Sequence, residues 1–298
     1  MDKETEEKWI GAGKIGSNAL LQGAKLIKAG VSLLEVAEKI ESIIIKAGAK
    51  PAFPCNISIN DLAAHFTPNL NDKQVFNEND VVKLDVGAQI DGCICDNAIT
   101  VDLSGKNNDL VKASRDAVEN AVKIVKPGLE IREIGKVIEE AIKSYGFNPI
   151  TNLCGHGIEE YTQHAGLMIP NYDNKSTIKL KEGQVIAIEP FATSGEGHVT
   201  EGAPSNIYRL VNLKPVRDKN AREVLGFIAE NYKTLPFAKR WVIKELGAKA
   251  NFGFLFLEKQ GNLSSYPQLP ERSKKLVSQA EHTVIVKKKS IVTSAWTD

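Results

Sequence analysis

Apolar residues return at helical spacing in two separated stretches of the chain. Val36, Ile40 and Ile43 or Ile44 mark the first, and Ile131, Ile134, Ile138 and Ile142 the second. Each set predicts an amphipathic helix, and a glycine (Gly30, Gly128) stops the helix before it. The two stretches are copies of one another. Residues 25–48 read KLIKAGVSLLEVAEKIESIIIKAG and residues 123–146 read KIVKPGLEIREIGKVIEEAIKSYG, at a constant offset of 98 with eight identities in 24 positions. Average composition gives about one or two by chance, and Pro51 and Pro149 continue the register. A period of about 100 residues is too long for a solenoid, so the pattern predicts two similar halves.

After each helix pair comes a loop with a histidine, His65 or His164, and then a run of strand formers. ENDVVKLDVGA (78–88) aligns with EGQVIAIEPFA (182–192), which puts Asp85 opposite Glu189. Alternation turns both acids away from their apolar neighbours. Asp91-Gly92 predicts a two-residue hairpin turn. Ile90 then pairs with Cys93, Asp85 faces Ala98, and Asp96 lies diagonally across on the same face, ~7–8 Å away at the backbone. In the second half the matching strand is AEHTVIV (280–286), which resembles CDNAITV (95–101) and sets Glu281 opposite Asp96. The ~70 residues between must carry structure of their own, and 216–233, 237–246 and 252–259 read as helices. Helices followed by antiparallel strands, twice over, predict an α+β sheet covered by helices.

Composition narrows the function classes. The chain has 298 residues, 42% hydrophobic and 25% charged, with a formal net charge of +1. That balance excludes disorder and a nucleic-acid binder working through bulk positive charge. The charged N-terminal octapeptide is no secretory signal, and no apolar run approaches the ~20 residues of a membrane span. Cys55, Cys93, Cys95 and Cys154 lack the spacing of a zinc site and read as buried thiols of a reducing, cytoplasmic compartment, Cys93 and Cys95 sharing a strand face. With five histidines in the chain, a metal site must lean on carboxylates. Four like charges facing one another in a sheet are unfavourable without counter-charge, and a pair of divalent cations supplies it. His156, between Gly155 and Gly157, is the candidate nitrogen ligand.

At these residues the chain resembles the type 2 methionine aminopeptidases of archaea and eukaryotes. AFPCNISINDLAAHFTPN, VVKLDVGAQIDG, NLCGHGIEEYTQHAG, AIEPFAT, SYPQL and EHTVIV carry the likeness, which spans essentially the whole chain. It implies a pita-bread fold: one catalytic domain over 1–298, its first half about 1–110, its second about 111–211 and 267–298, with a type 2 helical insertion at 212–266. It also implies two divalent metal ions (Co, Mn, Fe or Zn) on Asp85, Asp96, His156, Glu189 and Glu281. Asp96 and Glu281 would bridge, Asp85 would bind one ion, and His156 with Glu189 the other. Glu189 doubles as general base, while His65 and His164 contact substrate near the scissile peptide. Phe53, Phe191 and Tyr266 match the methionine pocket, and a further pocket position falls near Leu213.

The implied activity is removal of the initiator methionine from nascent polypeptides with a small second residue. The enzyme is expected to be a cytoplasmic monomer of archaeal style, without the eukaryotic N-terminal extension, contacting no membrane or nucleic acid and at most transiently the ribosome. Two alternatives share the fold. A proline-directed aminopeptidase or prolidase carries a further N-terminal domain, for which a first helix starting near Lys8 leaves no room. A non-enzymatic RNA- or ribosome-binding relative loses metal ligands, whereas all five positions are filled here. Other polar residues take plainer readings: His198 as structural, His282 as facing away from Glu281, Glu159 and Glu160 as solvated, and 287–289 as a solvated edge strand.

Overall fold

Helix α1 (Lys3–Ala24) starts at Asp2, whose carboxylate accepts from the Thr5 amide at 2.9 Å. Its start lies earlier than the Lys8 expected from sequence. In this computed structural model, which describes residues 1–296, α2 (Leu33–Lys46) is followed by α3 (Asn108–Ile124) and α4 (Ile131–Ser144). Both ends of α4 lie 98 residues beyond those of α2, so the sequence repeat is a structural one.

The Val81–Ile90 and Cys93–Asp102 strands form the expected hairpin, with Ile90 paired to Cys93 and Asp85 to Ala98. Asp91 and Gly92 have φ of +50° and +93°, the left-handed pair that a type I′ turn requires. Leu84 and Val86 enter the core under α1 and α2, so Asp85 between them faces the other way. In the second half, Val185–Ile188 lies between Cys154–Ile158 and His282–Ile285, antiparallel to both. Ile186 and Ile188 pack with Ile134, Ile138 and Ile142 of α4.

The half-sheets join edge to edge. Glu281 N donates to Ala98 O at 2.9 Å, and Thr283 Oγ1 both accepts from Asp96 N at 2.8 Å and donates to Asp96 O at 2.7 Å. Helices cover one side of this α+β assembly, and the seam's other side opens on a cavity.

Between the strands Pro204–Leu210 and Leu263–Pro267 come α5 (Lys219–Asn231), α6 (Lys239–Leu246) and α7 (Lys249–Lys259), packed around Tyr208, Val224, Ile228, Phe237 and Phe254. All three expected helices exist, with different starts. Asp218 caps α5 by accepting from Ala221 N at 2.8 Å, Phe237–Ala238 pairs as a strand with Ile207 and Tyr208, and α7 begins right after Gly247 ends α6. Residues 287–289 are not an edge strand. They form the turn between His282–Ile285 and Ile291–Val292, and Lys287 is tied back to Glu6. Among the described residues no helix is long and apolar enough to cross a membrane.

Candidate metal centre and active site

The cavity holds about 190 Å³, below the roughly 300–1,000 Å³ of drug-sized sites. Its floor is built at the seam. The hairpin contributes Asp85 and Asp96, and the second half contributes His156, Glu189 and Glu281. Asp96 is set by its two backbone bonds to Thr283, and Gln163 Nε2 donates to its Oδ2 at 2.9 Å. Glu189 follows the end of Val185–Ile188, where Asn171 Nδ2 bonds its carbonyl at 3.2 Å. Glu281 precedes its strand and accepts from Gln279 Nε2 at 3.4 Å.

This floor carries too much negative charge for a dry site. Burial pushes the carboxyls of Asp85, Glu189 and Glu281 well above the ordinary range, and the neighbouring Asp96 charge pushes them further. Asp96 is raised by burial too, with His156 opposing. Asp85 Oδ1 is buried and, among the described residues, has no hydrogen-bond partner.

The imidazole sharpens the picture. His156 Nδ1 lies 3.3 Å from Gly157 O, and a carbonyl only accepts, so Nδ1 carries the proton and Nε2 a lone pair. That lone pair faces Asp96 Oδ2 at 3.5 Å and Glu189 Oε1 at 3.8 Å. Candidate ligand atoms of Asp96, His156 and Glu281 all lie within 4.8 Å of one another. Lone pairs converging at distances too long for hydrogen bonds, on an imidazole anchored through its other nitrogen, fit a divalent cation.

The walls hold the remaining residues singled out from sequence. His65 Nδ1 donates to Pro267 O at 3.2 Å, and its ring meets Tyr266 edge-on at 5.3 Å. Its backbone is left-handed, φ +62°. His164 lies 4.3 Å from the His156 ring. Burial lowers the His65 pKa, and burial, with the neighbouring His156, His65 and Arg209 side chains each disfavouring a further proton, takes His164 down to about 3, so both rings are neutral near pH 7. Phe53, Phe191 and Tyr266 line the cavity. Gly87, opposite Asp96, leaves space for Phe53: a Cβ there would stand 2.2 Å from its ring.

Leu213 is a correction. It is 64% exposed, and Ile207 lines the cavity from that region instead. Asn206 is left-handed (φ +65°) within an irregular pairing between Pro204 and Tyr208, which a linear register does not count. Gln163, Asn56 and Pro236 also line the site unforeseen. Gln163 adjoins His164, the one signal in its favour. Most plainer readings hold: His282 turns away to Ser294 and Trp296, Glu159 and Glu160 are exposed, and Cys93 and Cys95 both face α1 as free thiols, but Cys154 is only half-buried and lines the cavity.

Comparison with known proteins agrees with this architecture. The profile of metallopeptidase family M24 matches residues 7–220, so divalent metal binding belongs to the family. A methionine aminopeptidase of Archaeoglobus fulgidus is 54% identical over 286 residues, 96% of this chain and 97% of the relative. Among solved structures, a thermophilic Arx1 superposes with a TM-score of 0.85 at 18% identity, covering 100% of this chain and 93% of the other. A methionine aminopeptidase of Thermotoga maritima gives 0.71 at 22%, covering 99% and 98%. At such identities these structures speak for the pita-bread fold alone. Sequence identity over nearly the full length goes further: the chain belongs to metallopeptidase family M24, among the methionine aminopeptidases.

Proposed function

We propose that this protein removes the N-terminal methionine from polypeptides whose second residue is small, with two divalent ions held by Asp85, Asp96, His156, Glu189 and Glu281. The observation that carries the reading is the convergence of four carboxylates and one lone-pair-bearing imidazole on the floor of a small, partly aromatic cavity. Such ions supply Lewis acidity and activate water near neutral pH. The chain's residues do the rest. Glu189, with its raised affinity for a proton, is suited to take one from the attacking water and pass it to the departing amine. His65, donating through Nδ1 to Pro267 O, presents Nε2 as an acceptor for a substrate N–H. Neutral His164 donates to the oxygen that gains charge. Phe53, Phe191, Tyr266 and Ile207 surround an unbranched apolar side chain and exclude water from it.

On this reading residues 212–266 are an insertion between portions of the second half (111–211 and 267–298), the first half being 1–110. The protein works as a cytoplasmic monomer on nascent chains, with transient ribosome contact. The metal is whichever of Co, Mn, Fe or Zn the cell provides. Purified protein incubated with Met-Ala-Ser and Met-Leu-Ser tests the activity. Methionine should be released from the first peptide far faster than from the second, and a chelator should stop it. Cleavage of Xaa-Pro peptides alone would replace the reading with a proline-directed one.

A further inference from the structure

Arg240, on α6, is fully buried, its side chain 0% exposed. Its guanidinium pairs with Glu41 of α2, and Nη1 donates to Thr67 Oγ1 at 2.7 Å and Pro68 O at 3.0 Å. Thr67 Oγ1 passes its own proton to Cys55 O at 2.8 Å, while Cys55 N donates to Glu41 Oε1 at 3.3 Å. The second Glu41 oxygen accepts from Trp241 Nε1 at 2.9 Å. Cys55 N, Thr67 and Pro68, two and three residues past His65, are thus tied directly to one buried ion pair, and Cys55 O is tied to it through Thr67. The segments holding these residues carry Phe53, Asn56 and His65 into the cavity.

Stability is a poor account of this arrangement. A buried ion pair loses in desolvation much of what it gains in attraction, and apolar packing of equal volume does as well. Among the described residues Arg240 Nε has no partner. What the pair provides is direction: a planar fork holds two acceptors at fixed angles, which a lysine cannot do. Direction is what His65 needs, because a left-handed backbone at a non-glycine residue persists only where its surroundings impose it. We propose that Arg240, with Glu41, is a positioning residue that fixes His65 over the carboxylate floor, so that the inserted helices take part in turnover. The inference rests on the proposed role of His65.

The test uses Arg240→Lys and Thr67→Val, each alone and with His65→Ala, and reads kcat and KM for Met-Ala-Ser, Mn²⁺ affinity by calorimetry, and the His65 ring signals in ¹⁵N-labelled protein. Thr67→Val removes the hydroxyl's bonds to Arg240 and Cys55 O while leaving the ion pair, in case Arg240→Lys fails to fold. Each single variant should lower kcat about 10- to 100-fold, as misplacement of a reacting group does, with KM and Mn²⁺ affinity near those of the parent. Neither should add appreciably to the loss caused by His65→Ala. His65 signals should move while those of the remote His198 stay. An equal fractional loss in the His65→Ala background, unchanged kcat in both variants, or Mn²⁺ affinity falling with turnover overturns the proposal. A parent that releases no methionine refutes the proposed activity instead, and unmoved His65 signals then refute the clamp by themselves.

Discussion

At the scale of single residues, the floor of the cavity is a balance between burial and charge. Asp85, Glu189 and Glu281 hold protons more tightly in the folded protein than in the unfolded chain, because burial and mutual repulsion both disfavour the ionised form. A group with a raised folded-state pKa contributes stability that is complete below its unfolded value and lost as pH rises through the folded one. The chelated protein should therefore melt at progressively lower temperature as pH rises above the ordinary carboxylate range, and saturating metal should flatten that slope. Asp85→Asn removes one charge whose Oδ1 has no partner. It should raise the melting temperature of the chelated protein at pH 8 and weaken metal binding at least about tenfold, both readable by calorimetry. An unchanged chelated melting temperature would mean that repulsion within the cluster costs nothing.

At the scale of elements, the first hairpin shows how far local chemistry reaches. Asp91-Gly92 set the turn, the turn set the register, and the register put Asp85 and Asp96 on one face with Gly87 opposite Asp96. Gly87→Ala should drive the Phe53 ring out of place, raising KM for Met-Ala-Ser severalfold while metal content, measured by elemental analysis, stays that of the parent. The turn, the register and the shared face of Asp85 and Asp96 were legible in the sequence, as was the span of the helix repeat, and the four acids and one histidine singled out there all line the cavity; the contact of Gly87 with Phe53 was not legible. Other parts depend on contacts that no local pattern encodes. Arg240 meets Glu41 across 199 residues and Gln163 meets Asp96 across 67, so neither partner is visible from its own surroundings. Helix starts shifted where a cap decided them, as Asp218 does for α5. Leu213, placed near the pocket by resemblance alone, lies beyond the end of the Pro204–Leu210 strand and faces solvent.

At the scale of the whole molecule, the site is where two half-sheets meet. Two of the candidate ligands come from one half and three from the other, and the sheet seam between them is short: Ala98 pairs with Glu281 through backbone, and the hydroxyls of Thr283 and Thr100 bond the backbones of Asp96 and Gln279. A cation held there binds only the assembled state, so at about 1,000 times its Kd it should stabilise the fold by about 4 kcal/mol. Thermal melts with and without chelator check the size of the effect. Hydrogen exchange checks its place, because the amides of Asp96 and Glu281 should exchange faster in chelated protein than those buried beneath α2 and α4. Uniform acceleration would contradict a seam-centred effect. The repeat at offset 98 gives this arrangement a history. Each half alone presents an unpaired sheet edge and part of a charge cluster, with no enclosed floor. An ancestor the length of one half would have had this centre only as a homodimer, on its twofold axis. Fusion of two copies would then have freed the halves to diverge, and it is the second half alone that carries both His156 and the inserted helices.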